Sequence, residues 1–367
     1  MAFDFPVYTP PDFTAPSLAQ APCVRFAPVV REGIAPDGYH ATSVHPEYLH
    51  LAPDSWTLLQ ESRMDCVVVL DRDGELQVRE FRTLKVEDRV ACGRSEDGSD
   101  GILVYPGGFL PPGEEGERER FAFRTGFSRE TSFSIDYDRL YALLDEERRH
   151  GFILWVLGPA AIFDRDAREA FVALVEGGYV HALLAGNAFP THDLEGALYG
   201  TALGQDLYTK RPVPEGHYRH LDALNRIRAL GSIRRAVEEG EVPNGVMRAL
   251  IGKDIPFVLA GSIRDDGPLP EVIADACQAQ DRMRTLARKA TTVIALATAL
   301  HTIATGNMVP SYRVESDGRV RPVYFYAVDM SEFALGKLLD RGSVSARPIL
   351  TNVQDFIVTL QRGLTRS

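Results

Sequence analysis

Four apolar runs in the second half of the chain end on residues able to bind or catalyse. VHALLAG (180–186) leads into Asn187-Ala188-Phe189-Pro190-Thr191-His192-Asp193, and IPFVLAG (255–261) leads into Ser262-Ile263-Arg264-Asp265-Asp266-Gly267. TTVIALA (291–297) leads into Thr298-Ala299-Leu300-His301, with Asn307 further on, and VYFYAVD (323–329) stops on Asp329. A carboxylate at a strand tip can accept hydrogen bonds from ribose hydroxyls. Amide, hydroxyl, imidazole and carboxylate groups together at such ends describe a ligand cleft. A second concentration of polar groups lies earlier, in GYHATSVHPEY (38–48) and ESRMDC (61–66). It holds His40, His45, Glu47, Arg63 and Asp65, groups able to bind a charged ligand and to move protons.

The elements that must hold these residues follow from periodicity. Residues 1–37 form a Pro-rich arm, with seven prolines up to Pro36, which should run extended and drape over the rest. Residues 38–136 read as a smaller β-rich substrate or oligomerisation domain. CVVVLD (66–71), LQVREF (76–81) and GILVYPGGF (101–109) are separated there by turn-formers. GEEGERER (113–120) is a solvated charged loop.

From 137 to 367 strands and helices alternate. Helical stretches are expected at 137–151, 166–178, from near Asp193, around 217–239, at 270–289 and at 331–340. The strands are FILWVLG (152–158), the four runs above and RPILT (347–351). Short apolar blocks with helices between them predict a mostly parallel, doubly wound, Rossmann-like α/β sheet, whose ligands sit beyond the carboxyl ends of the strands.

Bulk properties remove several function classes. The net charge is −11 over 367 residues, which argues against a nucleic-acid partner, because phosphate binding needs clustered cations. No apolar run spans a bilayer. The N-terminus lacks a signal peptide's features, and four cysteines at wide spacing fit reduced thiols in the cytoplasm. No His/Cys/carboxylate spacing recommends a metal, and none is assigned. Neither G-x-G-x-x-G nor G-x-x-x-x-G-K-[ST] occurs, so motif matching alone finds no nucleotide.

LLAGNAFPTHDLEGALYGTALG (183–204), NRIRALGSIRRAVEEG (225–240), PFVLAGSIRDDGPLPEVI (256–273) and ALHTIATGNMVP (299–310) resemble the lysine-oxoglutarate reductase/saccharopine dehydrogenase-type domain family. That family includes archaeal-type ornithine cyclodeaminase and the cyclodeaminase half of arginine dihydrolase/ornithine cyclodeaminase. The resemblance covers roughly 151–362. It implies an NAD-binding domain of deoxyhypusine-synthase-like topology, a homo-oligomer (dimer or tetramer) and a small amino-acid substrate. The reaction it implies converts ornithine, or a related diamino acid, to proline and ammonia, with hydride lent to NAD and returned.

Carried over by position, the cofactor contacts would be Asn187, Ala188, Asp266, Thr298, Ala299, Leu300, His301, Asp329, Asn352 and Val353. The family carries Asp where this chain has Asn352. The alternatives are a net saccharopine- or opine-type oxidoreductase and a non-catalytic NAD-binding regulatory module.

On the substrate side Arg63 is read as the carboxylate clamp, with Asp65 or Glu47 as acid/base on the amine. The plainer reading makes all three turn and strand partners. Arg129 in SRETSFS (128–134) is a further residue within reach of substrate. Cys66 heads an apolar run and reads as a small hydrophobe rather than a nucleophile. His192 divides between packing and catalysis, and Asp193 reads as a helix cap.

Overall fold

The five residues Ile153–Leu157, ILWVL, are all fully buried, as a strand covered on both faces requires. In the computed structural model this strand is the hinge of the architecture. The structure describes residues 3–109, 134–265, 267–331 and 346–365, without the side chains of 134–136 and 346. The sequence readings at 110–127, around Arg129, at Asp266 and over most of 331–340 lie outside them.

The first part holds α1 (Pro16–Ala19), β1 (Arg25–Pro28), β2 (Glu47–Ala52), β3 (Ser55–Leu58), β4 (Val67–Leu70), β5 (Leu76–Arg79), β6 (Arg89–Cys92) and β7 (Ile102–Val104). They make two antiparallel sheets, ordered β1-β6-β4-β5 and β3-β2-β7. The proline-rich segment is therefore not wholly an arm. Arg25–Pro28 pairs with β6, held at either end by buried Val24 and Val29. Ahead of it the chain drapes by its rings: Phe13 stacks on Trp56, and Phe3 meets Tyr324 edge-on.

The second part runs α2 (Ser134–His150), β8 (Ile153–Leu157), α3 (Arg165–Glu176), β9 (Ala182–Gly186), α4 (Ala188–Tyr199), the hairpin β10 (Thr201–Ala202) and β11 (Gln205–Asp206), α5 (Gly216–Leu230), α6 (Ile233–Glu238) and α7 (Val246–Gly252). It continues with β12 (Phe257–Ala260), β13 (Val272–Ile273), α8 (Ala276–Ala287), β14 (Thr292–Leu296), α9 (Ala299–Met308), the hairpin β15 (Tyr312–Val314) and β16 (Val320–Pro322), β17 (Tyr324–Asp329), β18 (Ala346–Leu350) and α10 (Val353–Leu364). Seven strands form one sheet in the order β13-β12-β9-β8-β14-β17-β18, with every pair parallel. The sheet is Rossmann-like: the chain moves outward from β8 on one side, then crosses to β14 on the other.

Three boundaries differ from the sequence reading. The helix expected near Asp193 begins at Ala188, and Pro190 is tolerated because first-turn amides have no intrahelical acceptor. The helix expected from Pro270 begins at Ala276, capped by Asp275, because Val272–Ile273 pairs with β12 instead. The hairpins β10–β11 and β15–β16 are too short for a periodicity signal.

Two hydrophobic layers flank the sheet. One face packs Leu143, Phe171, Phe356 and Leu360, and the other packs Met283, Ala287 and Met308. Trp155 joins sheet to helix, edge-on to Phe171 and donating its indole N–H to the Tyr179 carbonyl. Burying such side chains at roughly 25 cal/mol per Å² of apolar surface is the dominant stabilising contribution.

Candidate active site at the carboxyl rim of the sheet

Parallel register places the strand ends in a row. Ala185, Leu157, Leu296 and Val328 are aligned partners, and Asp329 pairs with Leu350. From β9 to β18 this rim spans about 19 Å at the ~4.8 Å strand spacing, long enough to seat an extended dinucleotide. Its middle, between β8 and β14, is where the two crossovers diverge and a ligand crevice opens.

At that point the chains touch. Gly158 lies at the tip of β8, where a Cβ would fall 1.9 Å from the Ala297 carbonyl oxygen, so only glycine fits. Ala297 takes a left-handed backbone, φ 53°, and α9 starts two residues later. Thr298, the N-cap, leaves the helix uncapped by its side chain; its hydroxyl instead shares a hydrogen bond with His301 Nδ1 at 3.0 Å. Among the described residues the amides of Ala299, Leu300 and His301 have no protein acceptor and are left to the crevice. Free first-turn amides carrying the helix's positive end are an anion cradle suited to a pyrophosphate. Ala299 and Leu300 are exposed there.

His301 lies over the next strand tip, where a Cβ on Gly186 would come within 2.9 Å of its Cε1. Burial lowers its pKa, against the pull of Asp265, and favours a neutral ring. Asn187, buried after β9, accepts the Leu269 amide at 3.0 Å and so fastens the 262–269 loop to the rim. Ala188 is exposed at the start of α4. At the far end Asp329 accepts the Ser331 amide at 2.8 Å. Asn352 caps α10, accepting the Gln354 and Asp355 amides at 2.8 and 3.3 Å. Asn and Asp serve equally as N-caps, so the cap is kept with Asn where the resemblance implies Asp. The Val353 side chain packs in the core.

The substrate-side residues lie elsewhere. Glu47 is fully buried, and its carboxylate accepts from the Ser43 amide (2.5 Å), the Ser43 and Ser62 hydroxyls (2.7 and 3.3 Å) and His40 Nε2 (2.8 Å). The Ser62 carbonyl takes the Ser311 amide at 3.0 Å, and the Ser311 carbonyl takes the Val323 amide at the amino end of β17. A strand of that length separates this contact from the rim by about 20 Å. Arg63, buried, already spends its fork on Glu61 (3.0 Å) and Glu80 (2.5 Å); Arg284 Nε lies 2.5 Å from Glu80, and Arg288 pairs with Glu61 at 2.7 Å. This network docks the first part onto α8 and leaves no open fork for a substrate. Asp65 is an exposed turn residue with φ 62°, a conformation Asp tolerates. Burial pushes the Cys66 thiol up to about 11, and it stays an inert hydrophobe.

Two features escaped the sequence reading. Gly158 was signalled only by the Gly-Pro step after LWVL. The pairing of His192 Nδ1 with Glu195 Oε2 at 2.8 Å had no signal beyond its i, i+3 spacing. Asp193 does cap a helix, though not its own. It takes the Val246 and Met247 amides of α7 and pairs with Arg168 at 2.7 Å. A cavity of about 480 Å³ opens beside this pair, lined by Arg165, Arg168, Gly196, Tyr208 and Asn244; both its cations are engaged, Arg168 by Asp193 and Asn244 and Arg165 by Glu169.

A family model described as arginine dihydrolase ArgZ-like, C-terminal, Rossmann fold, matches residues 140–360. This chain belongs to the ArgZ-like, archaeal-type ornithine cyclodeaminase family. An ornithine cyclodeaminase of Methanopyrus kandleri is 37% identical over 345 residues, 94% of this chain and 79% of the relative. One of Methanocaldococcus jannaschii is 38% identical over 94% of this chain and 78% of its own length. Among solved structures, a conserved LOR/SDH protein from Methanococcus maripaludis superposes with TM-score 0.83 at 36% identity, covering 94% of this chain and 99% of that one. AgrE, solved as a ternary complex with ornithine and NAD+, gives 0.60 at 30% identity over 95% of this chain and 46% of its own. Among the described residues no helix is long and apolar enough to cross a membrane, and no group of three or more His, Cys, Asp or Glu could hold a metal.

Proposed function

We propose that this protein is an NAD-dependent ornithine cyclodeaminase that converts ornithine to proline and ammonia. The observation that carries the reading is the uncapped first turn of α9 at the crevice between β8 and β14, opposite the Gly158–Ala297 pinch. Family membership and the ornithine- and NAD-bound relative support the same conclusion. When bound, NAD supplies a hydride acceptor that becomes the donor again, so the protein contributes binding, orientation and proton handling.

The amides of Ala299, Leu300 and His301 would hold the pyrophosphate, with Thr298 orienting His301. Asn187, Ala188 and the loop carrying Asp266 would close one end, and Asp329, Asn352 and the Val353 backbone the other. Glu47, Arg63 and Asp65 are not carried into this reading, because their partners are inside the first part and its docking network. All four cysteines are free, in keeping with a reducing, cytoplasmic setting. Leu203 and Tyr208, around the β10–β11 hairpin, and Tyr218 and Leu221 on α5 are exposed apolar groups, of a kind suited to self-association into a homo-oligomer.

Purified protein with NAD and ornithine should release ammonia and proline in equal amounts with no net NADH absorbance. NADH accumulating in step with turnover would replace this reading with a net oxidoreductase. Neither ammonia nor NADH, with NAD still bound, would leave a binding module.

A further inference from the structure

We infer that His192, oriented by Glu195, is the acid–base residue that moves the substrate's amine proton, and that the reacting end of the rim is therefore the β9–α4 end. The inference rests on the cyclodeaminase reading and deepens it.

Glu195 is fully buried on α4. Burial alone would raise its pKa, but hydrogen bonds from His192, the Gly204 amide and the Thr201 hydroxyl outweigh that and hold it below the ordinary range. An ionised carboxylate accepts, so His192 Nδ1 donates to it, and the lone pair is left on Nε2. Among the described residues Nε2 bonds to no protein atom. The ring lies between α4 and the turn that follows β8, edge-on to Phe163 at 5.3 Å, two elements that both begin at the carboxyl rim. The other titratable neighbours are His220 on α5, 6.1 Å away between ring centres, and Lys210, which is tied to Asp164 and to the Phe163 carbonyl.

A purely architectural role does not account for the imidazole. Glu195 already holds the β10–β11 hairpin through the Thr201 hydroxyl at 2.8 Å and the Leu203 and Gly204 amides at 3.2 and 3.1 Å. The hairpin is pinned without His192, whereas His192 depends on Glu195 for its tautomer. The ring is largely buried, yet Nε2 keeps access to solvent, so it can meet a substrate atom. At the opposite end of the rim Asp329 is engaged by Ser331 and Asn352 by the α10 amides. His301 shares its Nδ1 with Thr298 and presses Cε1 toward Gly186.

The chemistry needs one such group. An α-ammonium must lose a proton before its carbon can give up hydride, and Nε2 accepts that proton, with Glu195 balancing the imidazolium. After the second amine has closed the ring, the proton goes to the nitrogen that departs as ammonia. The hydride lost and regained by the substrate carbon leaves no net redox change.

The test compares wild type, His192→Gln, Glu195→Gln and His192→Gly. His192→Gln should lower kcat about a hundredfold or more, abolish the acid limb of the kcat profile and leave NAD affinity, read by fluorescence, within about threefold. Glu195→Gln should fall less, and added imidazole should restore part of the His192→Gly activity. His192→Gln turning over ornithine like wild type, or losing NAD affinity in step with kcat, overturns the inference while the cyclodeaminase reading stands. Wild type inactive on ornithine sinks both. Should the variants not fold, the wild-type profile decides, because one that is flat across the imidazole range, about pH 5 to 8, also overturns it.

Discussion

Ala297 and Gly158 are held against one another where two crossover connections part, and neither position tolerates much change. A methyl on Gly158 would lie 1.9 Å from a backbone oxygen that the left-handed Ala297 cannot withdraw. Gly158→Ala should therefore cost about 1–3 kcal/mol or more in denaturant unfolding. It should also weaken NAD binding by well over tenfold, because relief requires moving Thr298 and the start of α9. Asn352 illustrates the opposite case. Its side chain is spent on a helix cap that Asp would serve as well, so Asn352→Asp should change stability little.

At the scale of elements, α9 does the work that a glycine-rich fingerprint does elsewhere. A left-handed residue before the helix and an N-cap hydroxyl turned away leave three amides facing the crevice. Ala299→Pro isolates that contribution. Proline suits the first helical position, where its missing amide has no intrahelical acceptor, so the melting temperature should hold within about 2 °C. NAD affinity should nonetheless fall about tenfold, the value of one charge-assisted hydrogen bond. Unchanged affinity, measured by calorimetry, would show that the pyrophosphate does not sit there.

Across the whole molecule the two parts are held by an ion network and by a few backbone bonds. Glu80 is central, lying between Arg63 and Arg284. Burial raises its pKa, but the Arg63 and Arg284 cations outweigh that and hold it below the ordinary glutamate range. A depressed carboxylate contributes stability that is fully present above its unfolded value and is lost as pH falls through its folded one. Wild type should therefore lose stability below about pH 4.5 more steeply than Glu80→Gln. At neutral pH the variant should already be less stable, by on the order of 3 kcal/mol, because Arg63 and Arg284 keep their charges without a full counter-charge. Thermal melts of the two proteins between neutral and acid pH check both expectations.

The alternating apolar blocks were enough to establish a parallel sheet, because strands buried on both faces leave continuous hydrophobic runs such as ILWVL and TVIAL. Their polar ends marked the rim, because strand direction is a local property. What the sequence could not supply was which loops meet. Asn187 holding Leu269, His301 over Gly186 and Asp193 capping α7 join residues far apart in the chain through single hydrogen bonds or van der Waals contacts, which leave no periodic trace. The same holds for Glu47, Arg63 and Asp65. Their side-chain types suit an amino-acid site, but docking of the first part onto α8 gave Arg63 to an ion network, and the folding of the first part enclosed Glu47 and left Asp65 in a turn. Composition proposes what a side chain can do, and the tertiary contacts decide what remains free to do it.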